Sequence, residues 1–167
     1  MPVRYEKGDD GVVTLTFDAP GAPVNTMTEA WKQAFGAAVE RLQKEKDAIA
    51  GVILCSAKKT FFAGAELKEV LKFTAADGPR FFEEIEEVKR HFRALDKLGK
   101  PVVAALEGAA LGGGWELALA AHCRICLNDE RIELGLPEAT LGLLPGASGI
   151  TKTVRLLGLQ AALPLLV

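Results

Sequence analysis

The sequence predicts an α/β domain, because short β-branched apolar runs alternate with longer segments whose apolar residues recur at helical spacing. No internal repeat, low-complexity stretch or linker interrupts that alternation. A length of 167 residues, 49% of them hydrophobic, suits one globular domain with a sizeable core.

Each element follows from its own residues. Val12, Val13, Thr14, Leu15, Thr16 and Phe17 form an alternating, β-branched run and predict the first strand. Pro20, Gly21 and Pro23 break it. Thr28 stands where a helix cap is expected, ahead of Trp31, Phe35, Val39 and Leu42, and the charged run 43–47 closes that helix. Residues 50–55 are a short apolar run, predicting a strand buried on both faces. Across 78–98, Phe82, Ile85, Val88, Phe92 and Leu95 share one stripe of a second amphipathic helix. Residues 100–106 predict the next buried strand, followed by a glycine-rich segment at 108–114 and a small-residue helix at 115–121. Short strands are expected at 124–127 and 132–134, and a helix from 151 to 157. The end, 163–167, is apolar without polar cap or charged tail, which predicts that further chain belonging to the same core is missing.

Composition narrows the function. A formal net charge of −2 and scattered basic residues, with only short clusters such as Lys58-Lys59, provide no footprint for nucleic acid. Residues 1–10 are polar and charged, unlike a secretory signal or a transit peptide, so a cytoplasmic protein is expected. The most apolar stretch, 101–123, is broken by glycines and carries Glu107, Glu116 and His122, which marks a buried core rather than a membrane span. Three cysteines argue against a disulfide framework and suit a reducing compartment. Cys123 and Cys126 have C-x-x-C spacing but no second pair to complete a zinc site, so they are expected to pack in the core, and no metal site is expected. The two histidines, His91 and His122, sit on helical stretches without a nucleophile–base pattern and are expected to be solvated or packed.

Three segments carry candidate chemistry. In Phe61-Phe62-Ala63-Gly64-Ala65-Glu66-Leu67-Lys68-Glu69 the small residues let a ligand approach the peptide N–H groups, although the same pattern suits a plain turn after a strand. In Gly108-Ala109-Ala110-Leu111-Gly112-Gly113-Gly114-Trp115-Glu116 three glycines precede a helix and leave its first N–H groups uncovered, an arrangement suited to polarising a carbonyl oxygen or to tight packing. Neither G-x-G-x-x-G nor G-x-x-x-x-G-K-[ST] is present, so a dinucleotide or nucleotide phosphate loop is not supported. In residues 134–146, Glu138 is a second carboxylate in apolar surroundings, where desolvation raises a carboxyl pKa. Its alternative roles are capping a helix from Ala139 or pairing with Arg124 or Arg131. Taken together, two sets of N–H donors and two low-polarity carboxylates suit proton transfer beside an activated carbonyl.

The order Phe62-Ala63-Gly64-Ala65-Glu66-Leu67-Lys68, Lys100 to Ala105, Gly108 to Leu117 and Leu134 to Gly146 resembles the crotonase (enoyl-CoA hydratase/isomerase) superfamily over roughly residues 10–160. The wording of 56–64 and 134–138 is most similar to the hydratase part of multifunctional fatty-acid oxidation proteins, which join a hydratase to a 3-hydroxyacyl-CoA dehydrogenase. The resemblance implies a ClpP-like spiral of ββα turns with two roughly perpendicular sheets, incomplete at the C-terminus. Residues 1–167 would be the N-terminal core of an enoyl-CoA hydratase/isomerase domain whose C-terminal helices are absent. It also implies roles at matched positions. The N–H groups of Ala63 and Gly113 would form an oxyanion hole, with Glu116 activating water at the β-carbon and Glu138 exchanging the proton at the α-carbon. The loop Ala63, Ala65, Glu66 and Leu67 would accept the adenine of coenzyme A. Val24 and Met27 would lie by the pantetheine and acyl path, with Gly112, Gly113 and Pro137 also at the substrate. The implied reaction is reversible hydration of 2-trans-enoyl-CoA without metal or redox cofactor, coenzyme A being part of the substrate. Isomerisation, or acyl-CoA binding without turnover by a truncated module, are the alternatives. A trimer-type homo-oligomer or a fused dehydrogenase part is the implied partner. Glu66 departs from the family's usual Asp, while Ser148, Ile150 and Trp115 are bulkier or less polar than usual and bear on acyl-chain preference.

Overall fold

The chain opens with a hairpin in the computed structural model, which describes residues 1–166, Leu67 by its backbone alone. β1 (Val3–Lys7) pairs antiparallel with β2 (Val12–Phe17), Tyr5 opposite Leu15. Sequence patterning did not single out β1, because only Val3 is buried and only Tyr5 half-buried among five residues. Its partner β2 supplies the hydrogen bonds and the buried face.

From β2 onward the main sheet is parallel. α1 (Glu29–Glu45) carries the chain from β2 to β3 (Gly51–Ser56), which pairs with β2 so that Val13 faces Val52. Thr28 caps α1 as expected, its side chain accepting from the Trp31 N–H. α2 (Leu67–Val70) and α3 (Gly78–Asp96) lead to β4 (Val102–Leu106), which pairs with β3. Parallel neighbours need such crossovers. β5 (Ala110–Leu111) leaves this sheet and pairs with β7 (Leu134–Gly135), forming a second, two-stranded sheet. Between them α4 (Gly113–Ala120) returns the chain to β6 (Cys123–Cys126), at the edge beside β4. α5 (Gly149–Leu157) and α6 (Leu159–Ala162) follow. No helix among the described residues is long and apolar enough to cross a membrane.

Two expectations are corrected. Cys123 and Cys126 do not pack in the core: both are exposed, because β6 is an edge strand with nothing beyond it among the described residues. α4 starts at Gly113, two residues earlier than expected, because Gly112 makes the bend with φ 55° and frees both following glycines for the helix. His122 is exposed and its Nδ1 accepts from the Val102 N–H, while His91 lies edge-on to Phe35.

An aromatic cluster fastens the site to this frame. Trp31 and Phe35 stack at 4.6 Å, and Phe17 meets Trp31, Phe61 and Phe62 edge-on at 6.1, 5.8 and 5.7 Å. Each such pair adds about 0.5–1.5 kcal/mol beyond burial. Phe61 and Phe62 are the first residues of the loop that bears candidate chemistry, so the cluster sets where that loop departs. Phe17→Ala should lower unfolding stability by about 3–5 kcal/mol in urea titration. A loss below about 1 kcal/mol, small for any core truncation, would show that the cluster does not hold the fold.

Candidate active site

A strap and a loop lie side by side. The N–H groups of Phe61 and Phe62 donate to the Ala109 carbonyl at 2.9 and 3.2 Å, tying the loop's start to the segment before β5. Beyond them the loop is bonded to residues 25–27. The Ala63 N–H donates to the Asn25 carbonyl at 2.9 Å, the Met27 N–H donates to the Gly64 carbonyl at 2.9 Å, and Thr26 Oγ1 donates to Glu66 Oε2 at 3.1 Å. The expectation that Ala63 offers a free N–H is therefore corrected, because that group is already engaged within the fold. The next N–H groups in line belong to Gly64 and Ala65. Ala65 is exposed, and its N–H donates to no other described residue.

The glycine triplet meets this loop backbone to backbone. Gly64 has φ +87°, and a Cβ built there would stand 2.8 Å from the Leu111 carbonyl oxygen and 3.3 Å from the Gly113 nitrogen. The Gly113 N–H opens α4 and has no partner within the helix. The N–H groups of Ala65 and Gly113, neither of which has an acceptor among the described residues, thus belong to peptide strands in direct contact. A Cβ on Gly113 would meet Met27 Cε at 2.7 Å, so the Met27 side chain covers that turn.

Two carboxyl groups lie close enough that the charge of Glu138 acts on Glu116. Glu116, in the first turn of α4, is 3% exposed, and its Oε1 accepts the N–H groups of Ala147 and Gly149 at 2.8 and 2.7 Å. Burial pushes its pKa up to about 7. The two N–H donors oppose that rise, and the neighbouring Glu138 charge adds to it. Glu138 lies in a 3-10 turn, Pro137–Leu141, and a Cβ on Gly112 would stand 2.9 Å from its Oε1. Its Oε2 is buried and without a hydrogen-bond partner among the described residues, and burial raises its pKa as well. The alternative roles for Glu138 find no support. Arg124 donates to the Ala118 and Ala121 carbonyls, Arg131 pairs with Asp129, and Glu138 is within the turn rather than capping it.

A cleft of about 330 Å³ opens beside the loop, between the start of α1 and α3. Its apolar wall includes Met27, Val70, Phe73, Ile85 and Val88, and Ala65 and Glu66 stand at its edge. Val24, Ala63, Gly112, Gly113 and Pro137 do not line it, nor do the two carboxylates. Met27 joins the two regions, lining the cleft and touching Gly113. The Leu67 side chain, expected at the coenzyme A loop, lies outside the described residues. Sequence reasoning missed Asn25 and the Ala147 and Gly149 N–H groups. An asparagine soon after a proline- and glycine-rich stretch looks like a turn former, and main-chain donors leave no mark on residue identity.

Comparison with known proteins agrees with this geometry. The family described as enoyl-CoA hydratase/isomerase matches residues 7–167. The chain is 38% identical over 166 residues to the fatty acid oxidation complex subunit alpha of Idiomarina loihiensis, covering 96% of this chain. It is 42% identical over 164 residues to the subunit of the same name from Shewanella baltica, covering 95% of this chain. The chain spans 22% of the length of each of these relatives. The crystal structure of enoyl-CoA hydratase from Bacillus anthracis superposes with a TM-score of 0.87 at 29% identity, covering 99% of this chain and 62% of that one. The crotonase fold expected from the motifs is the fold observed. With nearly every residue matched and the same architecture, the chain belongs to the enoyl-CoA hydratase/isomerase family.

Proposed function

We propose that the chain catalyses reversible hydration of 2-trans-enoyl-CoA to 3-hydroxyacyl-CoA. One observation carries this reading: a buried Glu116 and a half-buried Glu138 both have raised pKa values, the charge of Glu138 adds to the rise at Glu116, and Glu138 lies against Gly112, beside a loop whose Ala65 N–H is taken by no other described residue. In this proposal the thioester oxygen accepts from Ala65 N–H and Gly113 N–H, the former taking the place first expected of Ala63. Their dipoles oppose the negative charge that grows on oxygen as the enolate forms, and each such donor is worth about 3–4 kcal/mol of barrier.

The carboxyl groups then divide the proton traffic. Glu116 accepts a proton from water as the water oxygen bonds to the β-carbon and the C=C π pair moves to the α-carbon. Glu138 delivers a proton to that α-carbon, and the reverse reaction runs the same steps backward. Glu116 is held by two N–H donors on Oε1, which fixes its orientation, while the unpartnered Oε2 of Glu138 suits a group that gives and takes protons. The adenine of coenzyme A would rest on residues 63–67, with Val24, Met27, Gly112 and Pro137 along the acyl path. The chemistry needs no metal or redox cofactor. A trimer-type assembly, or a 3-hydroxyacyl-CoA dehydrogenase part that receives the product, and a cytoplasmic location complete the proposal.

Loss of the enoyl thioester absorbance of crotonyl-CoA tests the reaction directly. Glu116→Gln and Glu138→Gln should each lower kcat by about 10²–10⁴-fold. Binding of crotonyl-CoA with no turnover would leave an acyl-CoA-binding module instead. Double-bond migration in a 3-enoyl-CoA that survives Glu116→Gln, with no hydration at any stage, would make the chain an isomerase.

Glu116 also predicts a pH dependence of stability. Its folded pKa of about 7 exceeds the 4.5 of an ordinary glutamate, so between these values the folded chain holds a proton that the unfolded chain has released. Stability from this group therefore falls as pH rises from about 4.5 to about 7, by on the order of 3 kcal/mol at most. Glu116→Gln keeps the Oε1 acceptor and carries no titrating proton. The stability difference between variant and wild type, followed by urea melts at several pH values, should grow in the variant's favour across that window. A constant difference would contradict a raised pKa.

A further inference from the structure

We infer that Asn25 is a positioning residue, holding the loop that carries the Ala65 N–H against the Gly113 N–H. This rests on the reading of that loop as a donor site for the thioester oxygen. Asn25 is fully buried, at 0% exposure, and every polar atom of its side chain is used. Oδ1 accepts the Ala19 N–H at 2.9 Å. Nδ2 donates to Ser56 Oγ at 2.9 Å, to the Phe17 carbonyl at 3.2 Å and to the Phe61 carbonyl at 3.3 Å. Ser56 Oγ in turn donates to the Thr60 carbonyl at 2.7 Å and accepts the Lys58 N–H at 2.9 Å.

A local turn would need only the bond to Ala19. The remaining bonds join the ends of β2 and β3 to the first residue of the loop, and the Asn25 carbonyl takes the Ala63 N–H just beyond it. With the Met27 N–H bonded to the Gly64 carbonyl, residues 25–27 clamp Ala63 and Gly64 directly ahead of the Ala65 amide. The same clamp lays the Met27 side chain on Gly113, so one three-residue strap touches both donor segments. A donor pair works only while both N–H groups converge, and displacement by about 1 Å can lower a rate by on the order of 100-fold. Asn25 touches neither the cleft nor the carboxylates, so its effect would pass through the loop.

The test is Asn25→Asp, which keeps the shape and the Oδ1 acceptor but turns an oxygen toward the Phe17 and Phe61 carbonyls. Hydration of crotonyl-CoA should show kcat about 10- to 100-fold lower with KM within about threefold. Amide hydrogen exchange should quicken at Ala63 and Met27, the two amides that the clamp bonds, by about tenfold or more while β3 and β4 keep their protection. Ser56→Ala removes the acceptor for one Asn25 bond, together with the Ser56 Oγ bonds to Thr60 and Lys58, and serves if the first variant fails to fold. Its kcat should fall about 3- to 10-fold with the same unchanged KM. Where the unaltered chain turns over, a folded variant with kcat within about twofold of wild type, or a fall in kcat matched by uniform loss of protection, overturns the inference. Where the unaltered chain hydrates nothing, the hydratase reading fails on its own. Exchange then decides: loosening confined to the clamp amides of Ala63 and Met27 upholds the positioning role, and uniform loosening or none overturns it.

Discussion

Two peptide backbones touch where the loop after β3 meets the start of α4, and no side chain fits between them. A Cβ on Gly114 would stand 2.2 Å from the Phe62 carbonyl oxygen, and one on Gly64 would stand 2.8 Å from that of Leu111. Contact this close leaves the main chain as the chemically active surface. It also makes the site a property of the fold: the loop is placed by Phe61 and Phe62 against Phe17, and α4 by its glycines against the loop. Parallel β2, β3 and β4 are the frame on which both are hung, with Ala109 and Ala110 joining the loop to the second sheet.

The electrostatics of Glu116 show competing effects with a clear winner. A carboxylate in the first turn of a helix is ordinarily stabilised by the helix dipole. Here two further N–H groups donate to it, which also favours the charged form. Burial nevertheless outweighs these donors and carries the pKa to about 7. The donors hold the group in place, and the loss of water sets its proton affinity. Glu138 is raised by burial too but lacks a partner on Oε2, so the two acids differ in anchoring rather than in the direction of their shifts.

Much of the frame was legible in residue order. Thr28 ahead of Trp31 and Phe35 marked the start of α1, and the stripe Val88, Phe92 and Leu95 marked the buried face of α3. The glycine triplet, Glu116 and Glu138 were legible as a group, because small residues and isolated acids in apolar runs have few other uses. Cys123 and Cys126 were misjudged because an edge strand and a central strand can share one local sequence, and only the order of strands in the sheet tells them apart. β1 was missed because its burial is supplied by its neighbour.

By itself the sequence determined the α/β class, the family, the two acids and the two glycine-rich bends, since all of these rest on local periodicity or on motif wording. Tertiary structure alone decided which amide in the first bend is free. Ala63 and Ala65 look alike in sequence, yet the N–H of Ala63 is taken by the distant Asn25 carbonyl, and that of Ala65 is not taken by any described residue. The physical reason is that a peptide N–H carries no identity of its own. Whether it can bind a ligand depends on whether folding has already brought a carbonyl from elsewhere in the chain within its reach.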